Sequence, residues 1–235
     1  MMRALFFDNN LRYRTDYPIP EPGENEALIR VTCAGICNTD LEIVKGYMNF
    51  RGVPGHEFVG VVERCGNKAL EGKRVVGEIN LSCGNCPYCK SGLRNHCPNR
   101  SVLGILGRDG AFADYVTLPT GNLHLVPDSV SDEEAVFVEP LAAAFEILEQ
   151  VGIGTEDRVC VLGDGKLGLL AAQVVSLTGC PLVVGGRHKE KLSILERRGI
   201  ETRLSSDITD RVFDCVIDCT GSPSGVESAM KLVRP

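Results

Sequence analysis

The 235-residue chain predicts a mixed fold: a mostly β N-terminal domain over residues 1–125, then a partial α/β domain with a parallel sheet over residues 126–235. Three observations predict it. Up to about residue 120 the chain is rich in Gly, Pro and short β-like runs, with almost no long helical periodicity. From Arg158 on, short apolar strands alternate with helical patterns, which implies a parallel sheet with right-handed crossovers. Between the first such strand and the first such helix stands Gly163-Asp164-Gly165-Lys166-Leu167-Gly168.

Residues 27–31, 58–62, 74–78 and 113–116 read as strands of the first domain, because β-branched and apolar residues cluster there between turn formers. Ser131 and Glu134 form a capping-box pattern that opens linking helices over residues 131–151. Strands follow at 158–162 and 182–184, a weak one at 202–204, and another at 214–219. Leu167, Leu170, Ala171, Val174 and Val175 repeat at helical spacing. Further helices fit residues 189–198, ended by Gly199, and residues 226–233.

Hydrophobic residues at 43% and charged residues at 24% are ordinary for a globular chain. A net charge of -6 argues against a nucleic-acid partner, because phosphate binding needs a basic face. No apolar run approaches the roughly 18 residues of a membrane span, and Met1 to Asp8 does not resemble a signal peptide. A cytosolic location is expected. In that setting the clustered ones among the eleven cysteines point to metal ligation rather than disulfides.

Cys83-x-x-Cys86-x-x-Cys89-x7-Cys97 is the strongest local signal. Tight turns at Gly84, Pro87 and Gly92 let four thiolates converge tetrahedrally on one zinc ion. A closed four-sulfur shell leaves no room for substrate, so its role is structural. An iron–sulfur cluster is the rival reading, but the last gap is seven residues, not the three of ferredoxin runs. Unliganded thiols are the plain alternative.

Three other segments carry donor groups: Cys37-Asn38-Thr39-Asp40, Gly55-His56-Glu57 and Glu139-Pro140. Singly each is weak. Their order, followed by the cysteine run and the glycine loop, resembles the zinc-containing medium-chain alcohol dehydrogenase family, and the likeness runs along the whole chain. Glu139, in Val-Glu-Pro-Leu, resembles the polyol, sugar and threonine dehydrogenase branch; alcohol dehydrogenases proper carry Cys there.

The resemblance implies a GroES-like catalytic domain, a Rossmann domain and two zinc ions per chain. Cys37 and His56 would ligate the catalytic zinc, and Glu57 and Glu139 would supply the remaining oxygen donors or hold a water beside it. A vacant position would take the oxygen of a small alcohol, polyol or sugar, and the Lewis acid would favour its alkoxide. Hydride would then pass to the nicotinamide of NAD(P). Thr39 would take the proton and Asp40 would orient His56. Where the family often has a relay His, this chain has Glu42, so the relay would be altered or replaced by water. Tyr47 and Phe50 either line the substrate pocket or pack the loop.

In the glycine loop, Gly163 permits the turn, Gly165 admits a pyrophosphate and Gly168 lets helix and sheet close together. Lys166 and Leu167 open the helix whose free amides would face the phosphates. Asp164 is unusual beside a pyrophosphate and is expected to point to solvent. NAD enzymes place an acid at the end of the second strand, but here Gly186 stands there, followed by Arg187. Arg187 would attract a 2′-phosphate, so NADP is favoured over NAD. A solvated helix start is the bland reading of Arg187 and Lys189.

Strands 1, 2, 3 and 4 of a six-stranded dinucleotide fold can be placed before Pro235. The chain therefore looks like a truncated form of a homodimeric or homotetrameric parent, expected to bind coenzyme poorly alone. An inactive, zinc-stabilised scaffold is the alternative function. Cys33, Cys65, Cys160, Cys180, Cys215 and Cys219 are expected to be small buried residues.

Overall fold

The structure, a computed structural model, describes residues 1–235. It comprises two compact units, Met1–Glu139 and Pro140–Pro235.

The first unit opens with an antiparallel hairpin, β1 (Met2–Asp8) and β2 (Asn10–Tyr17). Then come β3 (Glu26–Gly35), the short helix α1 (Asn38–Val44), β4 (Glu57–Cys65) and β5 (Arg74–Gly77). The small elements β6 (Asn80–Leu81), α2 (Pro87–Lys90), β7 (Ser101–Leu103) and β8 (Gly107–Arg108) surround the cysteine run. Finally β9 (Tyr115–Pro119) and β10 (Leu123–Leu125) complete an antiparallel sheet in the order β10-β5-β4-β3-β9. Its inner face buries Ala27, Ile29, Phe58, Val62, Val75, Val116 and Leu118, as period-two alternation requires.

The strand expected from residue 113 starts only at Tyr115. Ala113 and Asp114 serve the first strand instead: Ala113 bridges Ala4, and the Asp114 carboxylate accepts from the Arg3 amide and guanidinium. The segment after residue 125 packs with the first unit. Its helix α3 (Asp132–Ala135) carries the expected capping box, with Ser131 and Glu134 exchanging hydrogen bonds of 2.9 and 3.2 Å. Ala135 and Val136 bury against Val59 and Val76. Asp132 accepts from Thr32 Oγ1 at 2.6 Å and from Arg74 at 2.9 Å.

The division between the units falls within α4 (Val138–Gln150). The second unit continues with β11 (Val159–Leu162), α5 (Lys166–Ser176), β12 (Leu182–Gly186), α6 (Lys189–Glu196), β13 (Glu201–Leu204), β14 (Cys215–Asp218) and α7 (Pro223–Leu232). The sheet is parallel throughout, in the order β13-β12-β11-β14. This is the 3-2-1-4 half of a doubly wound sheet. β11 is buried at all four positions because it is central and covered on both faces. α7 begins earlier than position 226: Ser222 caps it by accepting from the Gly225 amide at 3.1 Å, and Pro223 takes the first turn.

Candidate metal centres and dinucleotide loop

Cys37 and His56 lie in two different turns, and Asp40 ties them together. Cys37 precedes α1 and donates its amide to Asp40 Oδ2 at 2.8 Å. Gly55, just before His56, donates its amide to Asp40 Oδ1 at 3.1 Å. The same oxygen lies 3.4 Å from His56 Nδ1, longer than a good hydrogen bond, and Nδ1 has no other partner. An orphaned, buried ring nitrogen facing a carboxylate is the arrangement that orients a metal-bound imidazole, with Nε2 left for the metal.

The ligand atoms of Cys37, His56 and Glu57 all lie within 4.8 Å of one another. A modest side-chain adjustment closes such a set on one zinc ion, whose bonds to these atoms run about 2.0–2.3 Å. Glu57 is the first residue of β4, and its carboxylate lies against Gly35: a Cβ there would come within 2.5 Å of Glu57 Oε2. Burial would drive the His56 ring toward neutrality, but Asp40 and Cys37 outweigh it and raise its pKa to about 10. Burial also opposes ionisation of Cys37; His56 and the Thr39 amide and hydroxyl overcome that and lower its pKa. Thr39 Oγ1 stands 3.7 Å from Cys37 Sγ.

The four cysteines of the knuckle form a second donor set. Their recorded sulfur–sulfur separations are 3.5 Å for Cys86–Cys89 and 3.9 Å for Cys83–Cys89 and Cys86–Cys97. A tetrahedron with zinc–sulfur bonds of about 2.3 Å has edges of roughly 3.8 Å, so the sulfurs already outline a zinc cage. Amides of Asn85 and Cys86 draw the Cys83 thiol down to about 6. The buried cluster here consists of sulfur side chains alone, without a hydrocarbon core.

In the second unit Gly163, with φ of 119°, ends β11, and Gly165 caps α5, with Lys166 and Leu167 in its first turn. A Cβ on Gly168 would strike the Gly163 carbonyl, whereas one on Gly165 would meet nothing within 4 Å. The open space over Gly165 is the cradle that a pyrophosphate needs. Asp164 overturns its expected exposure. It is buried and accepts from the Arg187 and His188 amides, each at 2.6 Å, and from His188 Nδ1 at 3.0 Å. Burial alone would raise its carboxyl; the His188 and Arg187 amides and the His188 ring outweigh that and lower it. The signal was available in two departures that belong together, an acid at 164 and no acid at 186.

Of the other candidates, Glu139 sits in the first turn of α4 and is not among the three converging donors. Arg187 is exposed just beyond β12. Phe50 packs against Phe7 and Ile43, while Tyr47 is exposed. Glu42 pairs with Lys45 at 2.9 Å. Cys65, Cys160 and Cys180 are buried as expected, but Cys33, Cys215 and Cys219 are only half-buried. No helix is long and apolar enough to cross a membrane.

Residues 23–128 match the Alcohol dehydrogenase GroES-like domain. A sorbitol dehydrogenase of Halalkalibacterium halodurans is 32% identical over 236 residues, covering 92% of this chain and 68% of the relative. A solved structure described as a zinc-binding dehydrogenase from Sinorhizobium meliloti 1021, bound to NADP, superposes with a TM-score of 0.90 at 32% identity, over 100% of this chain and 74% of that one. An Escherichia coli CFT073 structure described as a short chain alcohol dehydrogenase complexed with NADH gives 0.76 at 30% identity, over 100% and 67%. With its GroES-like domain, its parallel dinucleotide sheet and these relatives, the chain belongs to the zinc-dependent medium-chain alcohol dehydrogenase family.

Proposed function

We propose that this chain serves as a polyol or secondary-alcohol dehydrogenase with one catalytic and one structural zinc site and NAD(P) as hydride carrier. The observation that carries the reading is the convergence of Cys37, His56 and Glu57 on one point, separate from the four-cysteine cage. Residues 1–125 would form the catalytic domain and residues 126–235 the coenzyme-binding part. Eleven cysteines, none in a disulfide, fit a reducing cytoplasm.

When bound, zinc supplies Lewis acidity to a substrate oxygen, and the nicotinamide supplies the hydride acceptor. The residues do the rest. Cys37, His56 and Glu57 would hold the ion. Asp40 fixes the His56 ring through the contact with Nδ1. Thr39, whose hydroxyl stands beside the Cys37 sulfur, takes the proton of the substrate hydroxyl. Glu42 is engaged by Lys45, so the proton leaves from Thr39 to water. Glu139 would contribute a further oxygen donor and tilts the substrate toward polyols and sugars, in keeping with the sorbitol dehydrogenase relative.

The gaps 163–168 and the open face over Gly165 support a dinucleotide in the second unit. For the choice of coenzyme, exposed Arg187 supports NADP, and the buried Asp164 carboxylate opposes it. A metal analysis tests the two-zinc reading: two ions per chain are expected, and one in Cys37→Ser or His56→Ala. An inactive scaffold would hold a single zinc in both. Oxidation of a panel of polyols, sugars and amino alcohols with each coenzyme tests the reaction.

A further inference from the structure

A dinucleotide fold that recognises an unphosphorylated adenosine ribose normally does so with an acid at the end of its second strand. Here β12 ends in Gly186, yet the place is not without a carboxylate. A Cβ built on Gly186 would lie 2.7 Å from Asp164 Cβ and 2.8 Å from Asp164 Oδ2. The space a side chain at 186 would enter is therefore filled by Asp164, reaching across from the loop after β11, and by the tip of the flexible Leu192 side chain, 2.8 Å away. The two positions exclude one another, and the acid has changed strands without leaving the site.

The hydrogen bonds around that carboxylate say what it can accept. Asp164 Oδ2 receives the Arg187 and His188 amides, each at 2.6 Å. Oδ1 has a weaker engagement, with His188 Nδ1 at 3.2 Å. An oxygen with spare lone pairs at this place can accept a ribose hydroxyl. A 2′-phosphate would find the two amides that could have bound it already taken by an anion, and it would face that anion in a poorly solvated spot. Arg187 lies in water, where its attraction for the phosphate is screened.

We infer that Asp164 is the coenzyme-selecting acid of this chain, standing in for the strand-end acid, and that it directs the site to NAD(H) over NADP(H). The inference rests on the dinucleotide reading above and reverses the expectation drawn from Arg187.

Calorimetric titration of the 235-residue protein with NAD, NADP, ADP-ribose and 2′-phospho-ADP-ribose tests it without turnover. The unphosphorylated ligands should bind roughly tenfold tighter or more, since one like-charge contact is worth that much in a partly shielded site. Asp164→Gly should abolish the preference, and Asp164→Asn should do the same while keeping the shape of the side chain, so that a poorly folding glycine variant does not decide the matter. Gly186→Asp alone should lose both ligand classes through the clash, whereas Asp164→Gly with Gly186→Asp should regain the preference for NAD. Tighter binding of the phosphorylated ligands by the parent chain, or an unchanged ratio in Asp164→Asn, overturns the inference and leaves the dinucleotide reading standing. Because weak binding is expected, the titration runs to millimolar ligand; binding of neither class there overturns the dinucleotide reading itself, and the inference with it.

Discussion

Asp40 Oδ1 stands 3.4 Å from His56 Nδ1, with the two side chains only 5% and 3% exposed. The same carboxylate accepts the amides of Cys37 and Gly55. One acid thus faces the imidazole and joins the two turns that carry the candidate metal donors. Asp40→Ala should leave two buried amides without acceptors, at about 2–4 kcal/mol in urea unfolding. Asp40→Asn keeps an acceptor oxygen and should cost roughly half as much, while still weakening zinc affinity by about 10–100-fold. Equal destabilisation by both variants, with unchanged zinc affinity, would remove Asp40 from this role.

On the proposed zinc reading, protons and metal would compete for His56. Its folded pKa is raised from 6.5 to about 10, so the proton stabilises the zinc-stripped fold fully below 6.5, and that contribution fades as pH rises through about 10. A zinc ligand must be neutral, so zinc affinity at Cys37 and His56 should climb across the same window. Competition with a chelating dye at stepped pH measures it. A flat profile would contradict the assigned geometry.

Chelation at the cysteine cage should act locally. Since Cys83, Cys86, Cys89 and Cys97 bury only one another, the lobe should lose its order once stripped. Hydrogen exchange should accelerate between residues 83 and 97 and stay slow along β3 and β4. Retained protection in the stripped lobe would show a core that the structure does not contain.

Two glycines of the dinucleotide loop should separate folding from binding. Gly168→Ala drives a methyl into the Gly163 carbonyl and should cost about 1–3 kcal/mol. Gly165→Ala meets no protein atom within 4 Å, so thermal unfolding should be unchanged while NAD(P) affinity falls. A coenzyme affinity untouched by Gly165→Ala would place the pyrophosphate elsewhere.

Much of this was legible in the residues. The four strands of the second unit follow from alternating apolar runs, and even the weak run at 202–204 is β13. The cysteine spacing announces its own cage because turns only a few residues long leave thiols little choice. What was not legible depended on distant neighbours. Asp114 leaves the strand pattern because Arg3, more than a hundred residues away, claims its carboxylate. Asp164 looked out of place beside a pyrophosphate because periodicity cannot show that Gly186 vacates the room it fills. Phe50 could have faced substrate or core, and only the packing with Phe7 and Ile43 decides for core.

The sulfur-only lobe also has a chemical vulnerability. Cys86 and Cys89 stand 3.5 Å apart, and a disulfide needs about 2.05 Å, so an oxidant has little distance to close. Peroxide would close a Cys86–Cys89 cystine, and any ion held by the four sulfurs would be released. Reductant and metal would then both be required to rebuild it.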